Sequence, residues 1–211
     1  MLDLHDLFYS FCLDSYFQLE RGDGFALLRL VPDGGTNRLS RECVRALTGI
    51  LVELTGEAQP LVVAGNEKFF SVGADLRQIG ALGGAEAYEL AGMGQALTNV
   101  IARFPAPVYA AIEGHCMGGG LDLAVACSYR IAGPGAVFGH RGAALGLMTG
   151  WGGTQRLPRL VGKTKALELF VAAEKVTAPE ALRIGLVDAI AEDPLGEAVR
   201  RIQNVGLPRR G

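Results

Sequence analysis

The chain has 211 residues, is 49% hydrophobic and 20% charged, and carries a formal net charge of −2 with a pI near 5.9. That is enough apolar material to bury a full core in one domain, and it leaves no basic excess to neutralise a phosphate backbone, so disorder and nucleic-acid binding are both disfavoured. No apolar run reaches the roughly 20 residues of a spanning helix, and the N-terminal MLDLHDLFYSF carries aspartates where a secretory signal would carry lysine or arginine. A soluble, cytoplasmic protein with no membrane partner is expected. Cys12, Cys43, Cys116 and Cys127 show neither CxxC nor Cys/His pairing, so they read as buried thiols, not a zinc site or a disulfide framework.

In chain order, YFQLERGDGFALLRLV (16–31) predicts a hairpin, with two β-rich runs around Gly22-Asp23-Gly24. SRECVRALTGILVELTG opens with Ser40 as N-cap, places Val44, Leu47, Leu51 and Leu54 on one face, and ends at Gly56, an amphipathic helix. PLVVAG (60–65) is a short continuous apolar run, the pattern of a strand buried on both faces. PVYAAIEG (107–114) repeats it after a helical stretch from about Ala85 to Phe104, and SYRIAG is a third. Pro105 and Pro107 stop the intervening helix and do not mark a linker. GKTKALELFVAAEKVTAPEALRIGLVDAI then reads as a helix, a turn, a short helix from near Ala178-Pro179 and a final strand around Val187. Buried strands alternating with helices predict an α/β fold of βαβ units with a largely parallel sheet.

In open α/β sheets ligands collect at the carboxyl ends of strands, which singles out NEKFFSVGADL and EGHCMGGGLDL. Each contains a glycine turn that feeds a helix. A helix start offers unpaired N–H groups and a positive dipole end, suited to an anion or to a carbonyl oxygen becoming one. Glycine lets the ligand reach the backbone without meeting a Cβ. CMGGGLDL lacks the lysine and hydroxyl of a phosphate-binding Walker loop, the run has no dinucleotide-fingerprint spacing, and no G-x-S-x-G elbow is present. Asp122 is the only acid between Cys116 and Arg130, in a helix apolar all round where an unpaired charge is costly, which makes it a candidate for chemistry. Asp75 reads as a helix cap, Glu113 as a structural hydrogen-bonding group, and Trp151 as a packing anchor at the pocket edge. His140 reads first as a satisfied histidine at a strand end, with catalysis as the sharper alternative. Phe69, Phe70 and Phe138 are assigned to the core.

GNEKFFSVGADL resembles the first signature of the crotonase family, the enoyl-CoA hydratase/isomerase superfamily, and AAIEGHCMGGGLDLAVACSYRIA resembles its second. LGLMTGWGGTQRLPRLVGKTKALEL, followed by APEALRIGLVDAI, is similar to the family's later helical segment in the same order. Four ordered motifs at matching spacing are far more specific than one glycine run. The resemblance covers roughly residues 16–192. It implies a crotonase-like spiral of repeated ββα units with a buried, largely parallel sheet and a shortened C-terminal helical region. Residues 1–15 are then an N-terminal extension, expected as a short amphipathic cover, and 193–211 a short tail.

The resemblance also implies an oxyanion hole for an acyl-CoA thioester carbonyl, made by the backbone N–H groups of Ala74 and Gly119. Val72, Gly73, Asp75 and Gly118 belong to the loops that bind the substrate, with Arg141 and Trp151 beside them. Asp122 falls where hydratases carry one of two glutamates and is shorter by one methylene. The second falls at Gly142, which has no acid–base group. His140 and Arg141 stand two and one positions before it. With one acid, a double-bond shift is simpler than hydration, since one carboxylate can take a proton and return it elsewhere. Hydration would need His140 to orient water, and decarboxylation or C–C hydrolysis would use Arg141 or His140 to place a carboxylate. The alternative from another class is a non-catalytic CoA-binding subunit, favoured by Gly142 and the short C-terminus. Coenzyme A is expected as part of the substrate, with no permanently bound cofactor and no metal. The implied assembly is a homotrimer or a dimer of trimers. The short C-terminus implies a more open pocket, one covered by a neighbouring subunit, or a truncated sequence.

Overall fold

Runs that are apolar at every position fold as strands with both faces covered, and two such runs, LVVA and VYAAI, organise this molecule. The computed structural model describes residues 8–31 and 34–205. The chain runs β1 (Phe8–Leu13), β2 (Phe17–Gly22), β3 (Phe25–Leu30), β4 (Arg38–Leu39), α1 (Arg41–Leu54), β5 (Leu61–Ala64), β6 (Phe69–Ser71), β7 (Gly73–Ala74), α2 (Leu76–Gly80) and α3 (Gly84–Ala102). It continues through β8 (Val108–Ile112), β9 (His115–Met117), α4 (Gly119–Ala126), β10 (Tyr129–Ala132), β11 (Val137–Gly139), a 3-10 turn (Gly142–Leu145) and α5 (Gly153–Val161). The last elements are α6 (Lys163–Ala172), β12 (Val176–Thr177), α7 (Ala178–Arg183), β13 (Ala189–Ile190) and α8 (Pro194–Val205).

The main sheet has the order β1-β2-β3-β5-β8-β10-β13, and a second sheet has the order β12-β11-β9-β6. From β3 to β13 neighbouring strands of the main sheet are parallel; β1, β2 and β3 form an antiparallel edge. Each of β5, β8 and β10 is followed by a short strand of the second sheet, where β6, β9 and β11 pair in parallel, and then by a helix. This is the expected spiral of ββα units.

Side-chain alternation explains why β5 and β8 are apolar throughout. Leu61, Val63, Val108, Ala110 and Ile112 enter the larger core, which includes α1, α3 and α4, while Val62, Ala64, Tyr109 and Ala111 face a second cluster with Ala198 and Val199 of α8. The 193–211 tail thus carries a helix that covers one face of the sheet. Of residues 1–15, expected as an amphipathic cover, Phe8–Leu13 supply an edge strand: β1 pairs antiparallel with β2. Residues 1–7 and 206–211 lie outside the described residues. The β2–β3 hairpin turns at Asp23-Gly24, where Gly24 has φ +77°. Ser40 Oγ caps α1 by accepting from Cys43 N–H at 3.2 Å.

Phe70 and Phe138 are buried as expected, but Phe69 is half-buried and its ring tilts against His115. Cys43, Cys116 and Cys127 are free and buried; burial pushes Cys43 and Cys127 up to about 12 and Cys116 well above the usual thiol range, so they stay protonated and inert. The side chain of Cys12 lies outside the described residues.

One buried charge fastens the end of the sheet. Arg130 on β10 donates Nη1 to Cys127 O at 2.7 Å, Nε to Leu186 O at 2.9 Å and Nη2 to Asp188 Oδ2 at 2.8 Å. Arg130→Met removes the side-chain donor from Cys127 O and Leu186 O, while Asp188 Oδ2 keeps the backbone N–H of residue 130 at 2.7 Å; the change is expected to cost about 3 kcal/mol. The check is a lower urea midpoint at unchanged slope.

Candidate active site

Two loops leave the carboxyl ends of β5 and β8 and meet. Ser71, at the end of β6, accepts from Gly73 N–H at 3.0 Å and donates to Asn37 O at 2.7 Å, which bends the chain into β7. Gly73 has φ +84°, and a Cβ on it would lie 2.6 Å from Gly119 N and 2.7 Å from Met117 O. No other residue allows the two backbones to approach so closely. From the other side, Gly118 N–H donates to Gly139 O at 2.9 Å, and α4 begins at Gly119. A Cβ on Gly119 would meet the Trp151 ring at 2.5 Å, so Trp151 packs flush against the start of the helix.

Beside this junction lies a pocket of about 200 Å³, lined by Val72, Ala74, Gly118, Gly119, Asp122, His140, Arg141, Gly142 and Trp151 among the residues singled out from sequence. Gly73 and Asp75 do not line it. Gly73 is buried behind the loop junction, and Asp75 caps α2 by accepting from Arg77 N–H at 2.9 Å. The two therefore shape the first loop. Apolar Leu76, Ile79, Met117, Leu145, Leu147 and Met148 complete the walls.

Asp122 is 1% exposed and sits in the first turn of α4. Its Oδ2 accepts from the Thr149 hydroxyl. Its Oδ1 is 3.2 Å from His140 Nε2, yet the two atoms are not aligned for a hydrogen bond, so each is buried without an aligned partner. The His140 ring, at the end of β11, is tilted against Phe170 with centroids 5.1 Å apart. Oδ1 also fills the place of a side chain at Gly153, where a Cβ would lie 2.0 Å away. Because Gly153 opens α5, the carboxylate lies by the positive ends of two helices, which offsets part of the cost of burying its charge. Burial pulls the nearby Arg156 guanidinium below its usual range, and the Asp122 charge acts the other way.

The place beside Gly142 is closed. A Cβ there would lie 2.7 Å from Leu147 O, and Leu147 N–H donates to Gly142 O at 2.9 Å across the 3-10 turn. Asp122 is thus the only carboxylate lining the pocket among the described residues.

Sequence comparison places this geometry in a family. The profile described as "Enoyl-CoA hydratase/isomerase" matches residues 20–205. The chain belongs to the enoyl-CoA hydratase/isomerase family. It is 40% identical over 174 residues to the probable enoyl-CoA hydratase of Bacillus subtilis (strain 168), covering 81% of this chain and 67% of that one. To the crotonyl-CoA hydratase of Syntrophomonas wolfei it is 35% identical over 177 residues, covering 82% and 68%. Among solved structures it superposes on DspI of Pseudomonas aeruginosa with a TM-score of 0.87 at 34% identity, covering 93% of this chain and 76% of that one.

Within this family member, three residues at the site were not singled out individually from the sequence, although the segment that holds them was. Thr149, Leu147 and Gly153 lie on one segment, and their contacts with Asp122 and Gly142 form only when that segment folds back over α4. A larger cavity, about 520 Å³, opens on the α8 face, where Arg29 and Lys68 mix with Glu67, Glu113 and Asp193. It is not lined by Gly73, Ala74 or the Gly118–Gly120 run, and its acids are at most half-buried, so it does not offer the same chemistry. Burial first, then the charges of Asp193, Glu67 and Glu192, raises Glu113 above the usual carboxylate range. Its ionisation therefore opposes folding: stability is highest below the unfolded-state value and falls as pH rises through the raised one. Glu113→Gln should gain stability over wild type as pH rises from 4 to 7, by less than about 1 kcal/mol because water screens this group. Melting temperatures of the two proteins across that range check the sign.

Proposed function

We propose that this chain catalyses proton transfer at the α-carbon of an acyl-CoA thioester, with 3-enoyl-CoA to 2-enoyl-CoA isomerisation the reaction its site favours. The observation that carries this reading is a single buried carboxylate, Asp122, lining a pocket beside two apposed glycine loops, with the place of a second acid closed by Leu147. The thioester oxygen accepts from Ala74 N–H and Gly119 N–H. Asp122 removes a proton from C2, the electron pair moves onto the thioester oxygen as an enolate, and the same proton returns to C4, leaving the double bond conjugated at C2. Preorganised N–H donors favour the enolate because its charge grows where they already point. Coenzyme A enters as part of the substrate and stays attached to the product.

A second reading, hydration of 2-enoyl-CoA, is supported by the His140 contact with Asp122, which offers an imidazole where the second carboxylate is missing. Turnover of crotonyl-CoA, a 3-enoyl-CoA and malonyl-type CoA esters separates the readings. Faster formation of conjugated thioester than of 3-hydroxyacyl-CoA supports isomerisation; the reverse order supports hydration. If no ester is converted while CoA raises the melting temperature, the chain is a binding subunit. For assembly we propose a homotrimer or a dimer of trimers, supported by Leu167, Val171 and Leu182, which are 63%, 65% and 44% exposed and available to another copy. Sedimentation equilibrium tests it.

A further inference from the structure

The geometry points to Thr149 as a positioning residue that fixes which oxygen of Asp122 carries the proton. This rests on the proton-transfer reading above. The torsion that turns a carboxylate is broad and nearly two-fold, so an aspartate without a donor presents either oxygen. Here the choice is made: the Thr149 hydroxyl donates to Oδ2, while Oδ1 has no aligned hydrogen bond and is the atom at 3.2 Å from His140 Nε2. The methyl group of Thr149 borders the same space: a Cβ added to Gly153 would lie 3.0 Å from its Cγ2 and 2.0 Å from Asp122 Oδ1. Both ends of the threonine side chain thereby meet the same small space.

The backbone beyond Thr149 is anchored from two helices. Gln95 Nε2 of α3 donates to Gly150 O at 2.9 Å, Thr98 Oγ1 of α3 donates to Trp151 O at 2.8 Å, and Arg156 Nη1 of α5 reaches the same Trp151 carbonyl at 3.3 Å. Leu145 and Met148, just before it, are both 58% exposed. The tether therefore begins at Thr149, where the chain passes from an exposed loop to a fixed one.

Hydrogen bonds to charged groups are worth enough that losing this one should slow proton abstraction by about 10–100-fold. The test is deuterium incorporation from solvent at C2 of butyryl-CoA and octanoyl-CoA, followed by mass spectrometry, together with kcat and KM. Thr149→Val removes the hydroxyl and keeps the shape, and Thr149→Ala serves as a second hydroxyl-free variant should the valine protein not fold. The expected result is a 10–100-fold slower exchange and lower kcat, a KM within about 3-fold, and recovery to within about 3-fold of wild type in Thr149→Ser. Unchanged exchange in the folded hydroxyl-free variant, or a serine variant as slow as it, overturns the role of Thr149 while leaving the proton-transfer reading intact. Absence of exchange in the wild-type protein overturns that reading, and the positioning role falls with it.

Discussion

Asp122→Asn is expected to lower kcat for 3-enoyl-CoA by about 10²–10⁴-fold, the range for losing a positioned acid or base, without loss of stability. Asparagine keeps the size of the side chain and can still accept from the Thr149 hydroxyl through its own oxygen. What it loses is the charge and the ability to take a proton. Asp122 is 1% exposed, and a buried charge is carried at a cost that a neutral amide avoids. The melting temperature should therefore hold or rise as activity falls. A carboxylate serving only as a first-turn helix residue would show the opposite pattern, a lower melting temperature with rate preserved. Monitoring both by conjugated-thioester absorbance and calorimetry separates the two roles.

Gly73→Ala is the second change with a large expected effect, because it acts on the meeting of the two loops. At φ +84° an L-residue pays about 1–2 kcal/mol in backbone strain. Its Cβ would also lie 2.6 Å from Gly119 N and 2.7 Å from Met117 O, both backbone atoms, so the loops must separate. The total destabilisation should be about 2–4 kcal/mol. Moving the Gly119 amide away from a developing oxyanion should lower kcat by about 10²–10³-fold, the effect of removing one such donor. Gly24→Ala is the matched control. Gly24 has a similar φ of +77° with nothing among the described residues within 4 Å of its Cβ position, so it carries the strain alone and should leave kcat unchanged.

The ββα spiral was legible because its strands are buried on two faces: LVVA and VYAAI are apolar at every position, and the structure gives alternate residues to two separate clusters. Ser40 and Gly24 announced a cap and a turn because those features depend on adjacent residues alone. Placement of α8 was harder, since PLGEAVRRIQNV is amphipathic but nothing local says which sheet face it covers. FYSFCL carried aromatic strand residues that an amphipathic cover does not require, and β1 pairs accordingly with β2. At the site, Asp122 stood out as a lone acid in an apolar helix. Its surroundings did not: Thr149 lies 27 residues away in the chain, and no spacing rule joins the two. Gly142 was visible as a missing acid, but only the turn beyond it shows that Leu147 occupies the space.

The most direct test is the crystal structure of the protein with butyryl-CoA, a saturated ester that fills the acyl site without a double bond to move. The thioester oxygen is expected at about 2.7–3.1 Å from both Ala74 N and Gly119 N, with C2 facing Asp122 Oδ1. A thioester oxygen bound away from those amides, or an acyl chain entering the cavity near Glu113 and Asp193, would contradict it.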